Sequence, residues 1–337
     1  MSTLRIGVIG CGMIGREHIK RLNQRLQGCK VTAVCDVFEE GARRGAEIAG
    51  EGTKVYTVIS EIVNDPEIDA LVVTTPEVAH FDAVIEAIKA GKPVFVEKPL
   101  AATADDCMRI VEAEVASGKH LVQVGFMRRY DRGYRQVKAL LDSGEFGEAL
   151  IVKGTHRNQT VDESYETPLA VFGTVIHEID CLHWLVNDDF VSAQVLFGKD
   201  TKYTHSKLRD PQVMIMKTRK GVNVIVEVFV NCQFGYDINT EVVCEEGVIH
   251  MPAPSVPTVR KDGNLSAPIE QSWIGRFLEA YDAELQEWVN CAKEGIVTGP
   301  NAWDGYLAAV TADALVKAQE TGAIESIETE EKPAFYD

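Results

Sequence analysis

Two short stretches of this 337-residue chain hold residues spaced for chemistry. The first, GVIGCGMIG, sets Gly10, Gly12 and Gly15 as G-x-G-x-x-G behind an apolar run and ahead of helical periodicity. In that setting the first glycine permits a tight turn, the second lets backbone approach a pyrophosphate, and the third allows close helix–strand packing. The helix N-terminus then faces the phosphates. Asp36 ends the next apolar run, where a carboxylate can accept both ribose hydroxyls of NAD and would repel the 2′-phosphate of NADP. Val37 and Phe38 bring no cation to hold that phosphate, so NAD is expected first and NADP second. The second stretch, FVEKPL at 95–100, places Glu97, Lys98 and Pro99 at the end of a β-rich run. An amine there stands at the carboxyl end of a strand, where ligands of open α/β sheets bind, and the ring of Pro99 fixes the backbone beside it.

The elements that must position these residues follow from periodicity. Continuous apolar runs at 4–9, 31–35, 69–75, 93–96 and 121–126 alternate with amphipathic stretches at 13–26, 39–49, 77–90 and 103–117. Strands apolar on both faces, spaced by helices, predict a doubly wound parallel sheet, the Rossmann arrangement. After residue 126 the grammar changes. A helix at 131–142 leads into long alternating strands at 149–158, 190–198, 211–218, 221–231 and 238–244, several joined by tight turns. They predict an antiparallel sheet with helices near 174–186 and 272–294 on one face, which the family likeness described below makes large, open and mostly antiparallel, and a final helix at 302–321 precedes an acidic tail. The fold class is therefore α/β, with a nucleotide-binding domain at 1–125 and a second α/β domain at 126–337, to which the family likeness described below assigns substrate binding and oligomerisation.

Composition narrows the function. Acidic residues outnumber basic ones 51 to 34, a formal charge of −17, which argues against nucleic acid because phosphates require clustered Lys and Arg. Eight cysteines without a C-x-x-C pair read as free thiols of a reducing compartment. No apolar run reaches the ~20 residues that span a bilayer, and the chain enters a strand with no room for a signal peptide. A cytoplasmic protein acting on a small molecule is expected.

The glycine fingerprint, TTPEVAH (74–80) and the E-K-P stretch resemble the Gfo/Idh/MocA family of NAD(P)-dependent oxidoreductases of sugars and cyclitols. GFMRRYD (125–131), THRN (155–158), HEIDCLHWLVNDD (177–189), NCQFGYDI (231–238) and GPNAWDGYLAAVTAD (299–313) resemble its inositol-oxidising branch, so the likeness covers nearly the whole chain. The resemblance implies oxidation of an inositol ring hydroxyl to the inosose, with hydride passing to NAD, and a homotetramer built through the large sheet. It implies cofactor contacts from Gly10, Gly12, Met13, Ile14, Gly15, Asp36, Thr75, Pro76, His80, Glu97 and Lys98. It implies that Lys98 reaches substrate and nicotinamide, and that His177 is the general base, a task an imidazole suits near neutrality. Met127, Arg128, His156 and Tyr236 fall where that branch contacts the ring. Asn158 projects from the same strand face as His156.

One position departs from the family pattern Asp-x-x-x-His. The chain reads GTVIH, so Gly173 stands where the family has a carboxylate that binds a substrate hydroxyl and helps orient the histidine. Three readings follow: a neighbouring acid such as Asp180 compensates, the substrate is another sugar or keto-cyclitol, or activity is weakened toward a nucleotide-sensing role. Asp180 lies one helical turn beyond His177, where it can steady the helix without reaching substrate. His177, Glu178, Asp180 and His183 are spaced H-x₅-H rather than H-E-x-x-H, so no metal is expected.

Overall fold

The computed structural model describes residues 3–337 and divides into two compact units. The first holds the residues through Phe126 together with Tyr281–Ala309 and Glu330–Asp337; the second holds Met127–Ala280 and Val310–Thr329. The switch after Phe126 lies beside the expected boundary at 125. The packing also returns two later stretches to the first unit, a grouping that a single cut of the chain does not describe.

In the first unit β1 (Leu4–Ile9), α1 (Met13–Gln24), β2 (Cys29–Cys35), α2 (Glu39–Ala49), β3 (Lys54–Tyr56), α3 (Ile59–Asn64), β4 (Ala70–Val73), α4 (His80–Lys89), β5 (Val94–Glu97), α5 (Ala104–Ser117) and β6 (Val122–Gly125) follow one another. The strands form a parallel sheet in the order β3-β2-β1-β4-β5-β6. The order reverses between β1 and β4, and the carboxyl ends at such a reversal are where doubly wound sheets bind ligands. Ile6, Val8, Val34, Val72 and Phe95 are fully buried, as strands covered on both faces must be. β3 and α3 were not foreseen: β3 is a three-residue edge strand, and α3 buries only Ile62 and Val63.

The second unit opens with α6 (Arg132–Asp142), β7 (Ala149–Arg157) and α7 (Ile176–Val186). Then come β8 (Phe190–Phe197), β9 (Gln212–Thr218), β10 (Asn223–Phe229), β11 (Asp237–Cys244), β12 (Val248–His250), and the small hairpin β13 (Val259–Lys261) and β14 (Asn264–Ser266). Two long helices, α8 (Trp273–Ala292) and α9 (Ala302–Thr321), and the short β15 (Glu325–Ser326) follow, ahead of a 3₁₀ turn at Ala334–Tyr336. The sheet runs β12-β11-β7-β10-β9-β8-β15. All pairs are antiparallel except β7 with β10, which makes the sheet mixed. Val152, Val224, Val226, Met214 and Met216 face inward, while Ile151, Ile215 and Ile225 on the alternate positions are only half-buried. A Cβ on Gly154 would lie 3.3 Å from Leu182, so α7 packs against β7 at a position where glycine leaves it room.

α8 kinks at Phe277, and its later residues Leu285, Trp288, Val289 and Ala292 pack into the core of the first unit with Ile6, Val72 and Phe95. The expected acidic tail also carries anchors. Tyr336 donates its hydroxyl to Oε2 of the fully buried Glu114 at 2.5 Å, and Oε1 of Glu114 accepts the N–H groups of Leu121 and Val122 at 2.7 Å each. His120 stacks on Phe335 with ring centroids 4.0 Å apart. Burial raises the Glu114 pKa above the ordinary carboxylate range. Tyr336→Phe removes one donor from a buried carboxyl, which costs roughly 1–3 kcal/mol. Thermal unfolding of the variant should begin a few degrees lower; an unchanged transition would show that the tail carries no stability.

Candidate active site

The glycine loop lies just beyond β1. Gly10 has φ +96°, and a Cβ there would sit 2.6 Å from the backbone of Thr74 and Thr75. A Cβ on Gly15 would sit 2.0 Å from the carbonyl oxygen of Gly10, so helix and strand approach more closely than any side chain permits. Gly12, by contrast, has open space where its side chain would be. It caps α1 without any side-chain hydrogen bond, so the first N–H groups of α1 are not taken by a side-chain cap. Met13 beside it is exposed, and Ile14 follows in the first turn. Open backbone, a bare helix N-terminus and a close turn are what a dinucleotide pyrophosphate requires. Asp36 accepts from Cys11 N at 2.8 Å and from Phe38 N at 3.0 Å, which fixes its carboxylate beside the loop.

Glu97, at the end of β5, is 6% exposed. Its Oε1 lies 2.7 Å from Nε2 of His18, and its Oε2 accepts the backbone N–H of Lys98 at 3.3 Å. Burial opposes its ionisation, yet the bond from His18 and the charge of Lys98 hold its pKa below the usual range. His80 bridges two loops: Nδ1 lies 2.7 Å from the carbonyl oxygen of Pro99, and Nε2 lies 2.8 Å from that of Thr75. Burial lowers the His80 pKa. Pro76 opens the one-turn 3₁₀ segment Glu77–Ala79 ahead of α4. His80 and Glu97 thus tie the loops after β4 and β5 to each other and to α1.

In the second unit His177 is the second residue of α7, which follows a π-type turn at Ala170–Val175. Its neighbour Glu178 is buried and bound on both oxygens, Oε1 to the guanidinium of Arg128 and Oε2 to Nδ1 of His156 at 2.9 Å. Burial raises and the charge of Arg128 lowers the Glu178 pKa, and the lowering prevails. The ring of Tyr236 meets His156 edge-on at 5.7 Å, and Phe277 lies beneath Arg128. Burial pushes the Tyr236 hydroxyl up to about 12. Met127 is buried at the head of the same stretch. Asn158 continues β7, its N–H bonded to the Phe229 carbonyl at 3.0 Å. Arg128, His156 and Tyr236 are therefore brought together, with Glu178 as the hub that sequence reasoning named only as a possible metal ligand. Among the described residues, no group of three or more His, Cys, Asp or Glu is arranged to hold a metal.

Asp180, buried, binds Arg129 with both oxygens, one of them at 3.0 Å from Nε. Gly173 is exposed, and a Cβ there would meet nothing closer than the Tyr165 hydroxyl at 3.7 Å, an ordinary contact. Tyr165 donates to the Leu169 carbonyl at 2.7 Å and lies 2.5 Å from the Thr174 hydroxyl. Neither Tyr165 nor Thr174 had a motif to mark it. The same holds for His18, whose partner is 79 positions away.

The Gfo/Idh/MocA model described as an oxidoreductase family with an NAD-binding Rossmann fold matches residues 4–126, and that family's C-terminal alpha/beta domain matches 138–328. Over 334 residues, 99% of both chains, the protein is 48% identical to an inositol 2-dehydrogenase of Klebsiella pneumoniae subsp. pneumoniae and 50% identical to one of Azotobacter vinelandii. Its structure overlays the myo-inositol dehydrogenase of Lactobacillus casei, solved in complex with NAD(H) and myo-inositol, at a TM-score of 0.98 and 38% identity, covering all of both chains. Glycine loop, doubly wound sheet and mixed second sheet thus agree with these matches along the whole chain, which belongs to the Gfo/Idh/MocA family of NAD-binding oxidoreductases.

Proposed function

We propose that the protein is an NAD-dependent inositol dehydrogenase that oxidises one ring CHOH to the ketone. The observation that carries this reading is full-length similarity, in sequence and in fold, to enzymes named for that activity. When bound, NAD supplies the hydride acceptor. Gly10, Gly12, Met13, Ile14 and Gly15 would hold the pyrophosphate side, Asp36 the ribose hydroxyls, and Thr75, Pro76, His80 and Glu97 the loops beside Lys98. His177 takes the proton of the reacting hydroxyl, while the Lys98 ammonium donates a hydrogen bond to the same oxygen and stabilises its developing charge. Met127, Arg128, His156, Asn158 and Tyr236 serve the remaining ring, with Arg128 and His156 held in place by Glu178.

The test is NAD(P) reduction with a panel of inositol stereoisomers and aldoses. Wild type should turn over an inositol and prefer NAD to NADP, as expected for a carboxylate at Asp36. Lys98→Ala should lower kcat by about 10²–10⁴-fold, the usual share of a positioned acid–base group, with NAD affinity little changed. No turnover of any polyol would favour a nucleotide-sensing role instead.

A second reading rests on Gly173. The missing carboxylate and the free space beside it suit a ring bearing a different substituent, such as another sugar or keto-cyclitol. Gly173→Asp adds a charged acceptor worth roughly 1.5–3 kcal/mol, or about ten- to a hundredfold in kcat/KM if expressed in the transition state. A gain on myo-inositol supports inositol as the substrate. A loss there with no gain elsewhere would mean that the pocket serves a different ring.

The outer face of the second sheet mixes half-buried Ile151, Ile215 and Ile225 with Lys153 and Glu227, a composition suited to contact between copies. We read the assembly as a homotetramer, acting in the cytoplasm in inositol catabolism. Light scattering of the purified protein should give the mass of four chains, and a monomer would refute the assignment. No helix among the described residues is long and apolar enough to cross a membrane.

A further inference from the structure

His18 lies on α1 and is fully buried, enclosed by the rings of Phe95 at 6.0 Å and Tyr281 at 5.7 Å. Both of its nitrogens are engaged. Nδ1 lies 2.9 Å from a terminal nitrogen of Arg21, and Nε2 lies 2.7 Å from Oε1 of Glu97. A guanidinium has donors only, so Nδ1 must accept and the ring proton must reside on Nε2, from which it is donated to Glu97. Arg21 is itself fixed by Asp282, whose Oδ1 accepts from its Nε at 2.8 Å, and Oδ2 of Asp282 accepts from Arg25 at 2.8 Å. The other oxygen of Glu97 takes the backbone N–H of Lys98. A continuous line therefore runs from Asp282 through Arg21, His18 and Glu97 to the peptide nitrogen of Lys98. The helix that opens at the glycine loop is the same one that carries His18.

We infer that His18 is a positioning residue for Lys98: its single donor, locked in one tautomer by Arg21, keeps the Glu97 carboxylate ionised and seated against the lysine. The inference rests on Lys98 being the amine that acts on the reacting oxygen. The titratable or charged groups facing Glu97 are His18 from α1, His80 from α4 and Lys98 itself. Removing the His18 donor leaves a buried carboxylate short of a partner, which favours its neutral form. Lys98 then loses a neighbouring negative charge and releases its proton more readily.

The test reads the lysine directly. The pH dependence of Lys98 acylation, followed by mass spectrometry on the full-length protein, gives the midpoint at which the amine becomes nucleophilic. In His18→Phe, which keeps a ring but offers no donor, that midpoint should fall by roughly one unit or more. The kcat should drop at least about tenfold with KM for NAD changed much less. His18→Gln, whose amide offers both a donor and an acceptor, should restore most of both. If the Phe protein does not fold, Glu97→Gln should show the same acylation shift, and adding His18→Gln to it should add nothing further. Equal midpoints in wild type and the variants, or a Gln variant no better than Phe, would overturn the inference. An active Lys98→Ala would instead defeat the assigned role of the lysine while leaving the acylation result standing.

Discussion

A carboxylate withdrawn from water must find donors within the protein or give up its charge. That constraint organises each unit more visibly than the apolar core does. Glu97 is met by an imidazole and a peptide N–H, and Glu178 by a guanidinium and a second imidazole. Glu114 is met by two peptide N–H groups and a phenol, and Asp180 by a second guanidinium. Where the donors are peptide N–H groups and a hydroxyl, as at Glu114, the charge is less secure and burial raises the pKa. Asp210 has only the N–H groups of Val230 and Asn231, and burial pushes its pKa up to about 6.

The pairs of Glu178 with Arg128 and Asp180 with Arg129 contribute little net stability, because the desolvation of both charges offsets most of their attraction. Their effect is on position. Losing one partner strands the other, typically at about 3–5 kcal/mol, so each pair tolerates one arrangement and resists neighbouring ones. Arg128 cannot shift without abandoning Glu178, and Glu178 cannot turn without releasing His156. A cluster fixed in this way presents its polar groups in one geometry, which further apolar area would not do.

Much of the fold was legible because periodicity and glycine chemistry are local. The runs at 4–9, 31–35 and 93–96 were dominated by apolar residues and became strands of the parallel sheet, and G-x-G-x-x-G announced its turn by spacing. The parallel pairing of β7 with β10 was not legible, since it depends on two strands intervening in sequence and lying to one side in space. Nor was the return of Trp288 to the first core, for an amphipathic helix does not state which sheet it will cover. Lys98 and His177 drew attention through family likeness, whereas the bonds of His18 to Glu97 and of Glu178 to Arg128 had no such signal, because these buried contacts join residues 79 and 50 positions apart with no shared motif.

The part played by Trp288 in the first core has a consequence for the nascent chain. Phe95 and the strand it belongs to leave the ribosome well before the helix that covers them, an interval on the order of ten seconds or more at ordinary elongation rates. For that time a sheet already rich in hydrogen bonds presents an uncovered aromatic face. Holdase chaperones bind surfaces of that kind, and translation pauses within the second unit would lengthen the exposure. The yield of folded protein from cells should thus depend on synthesis speed through a region that contributes nothing to the glycine loop itself.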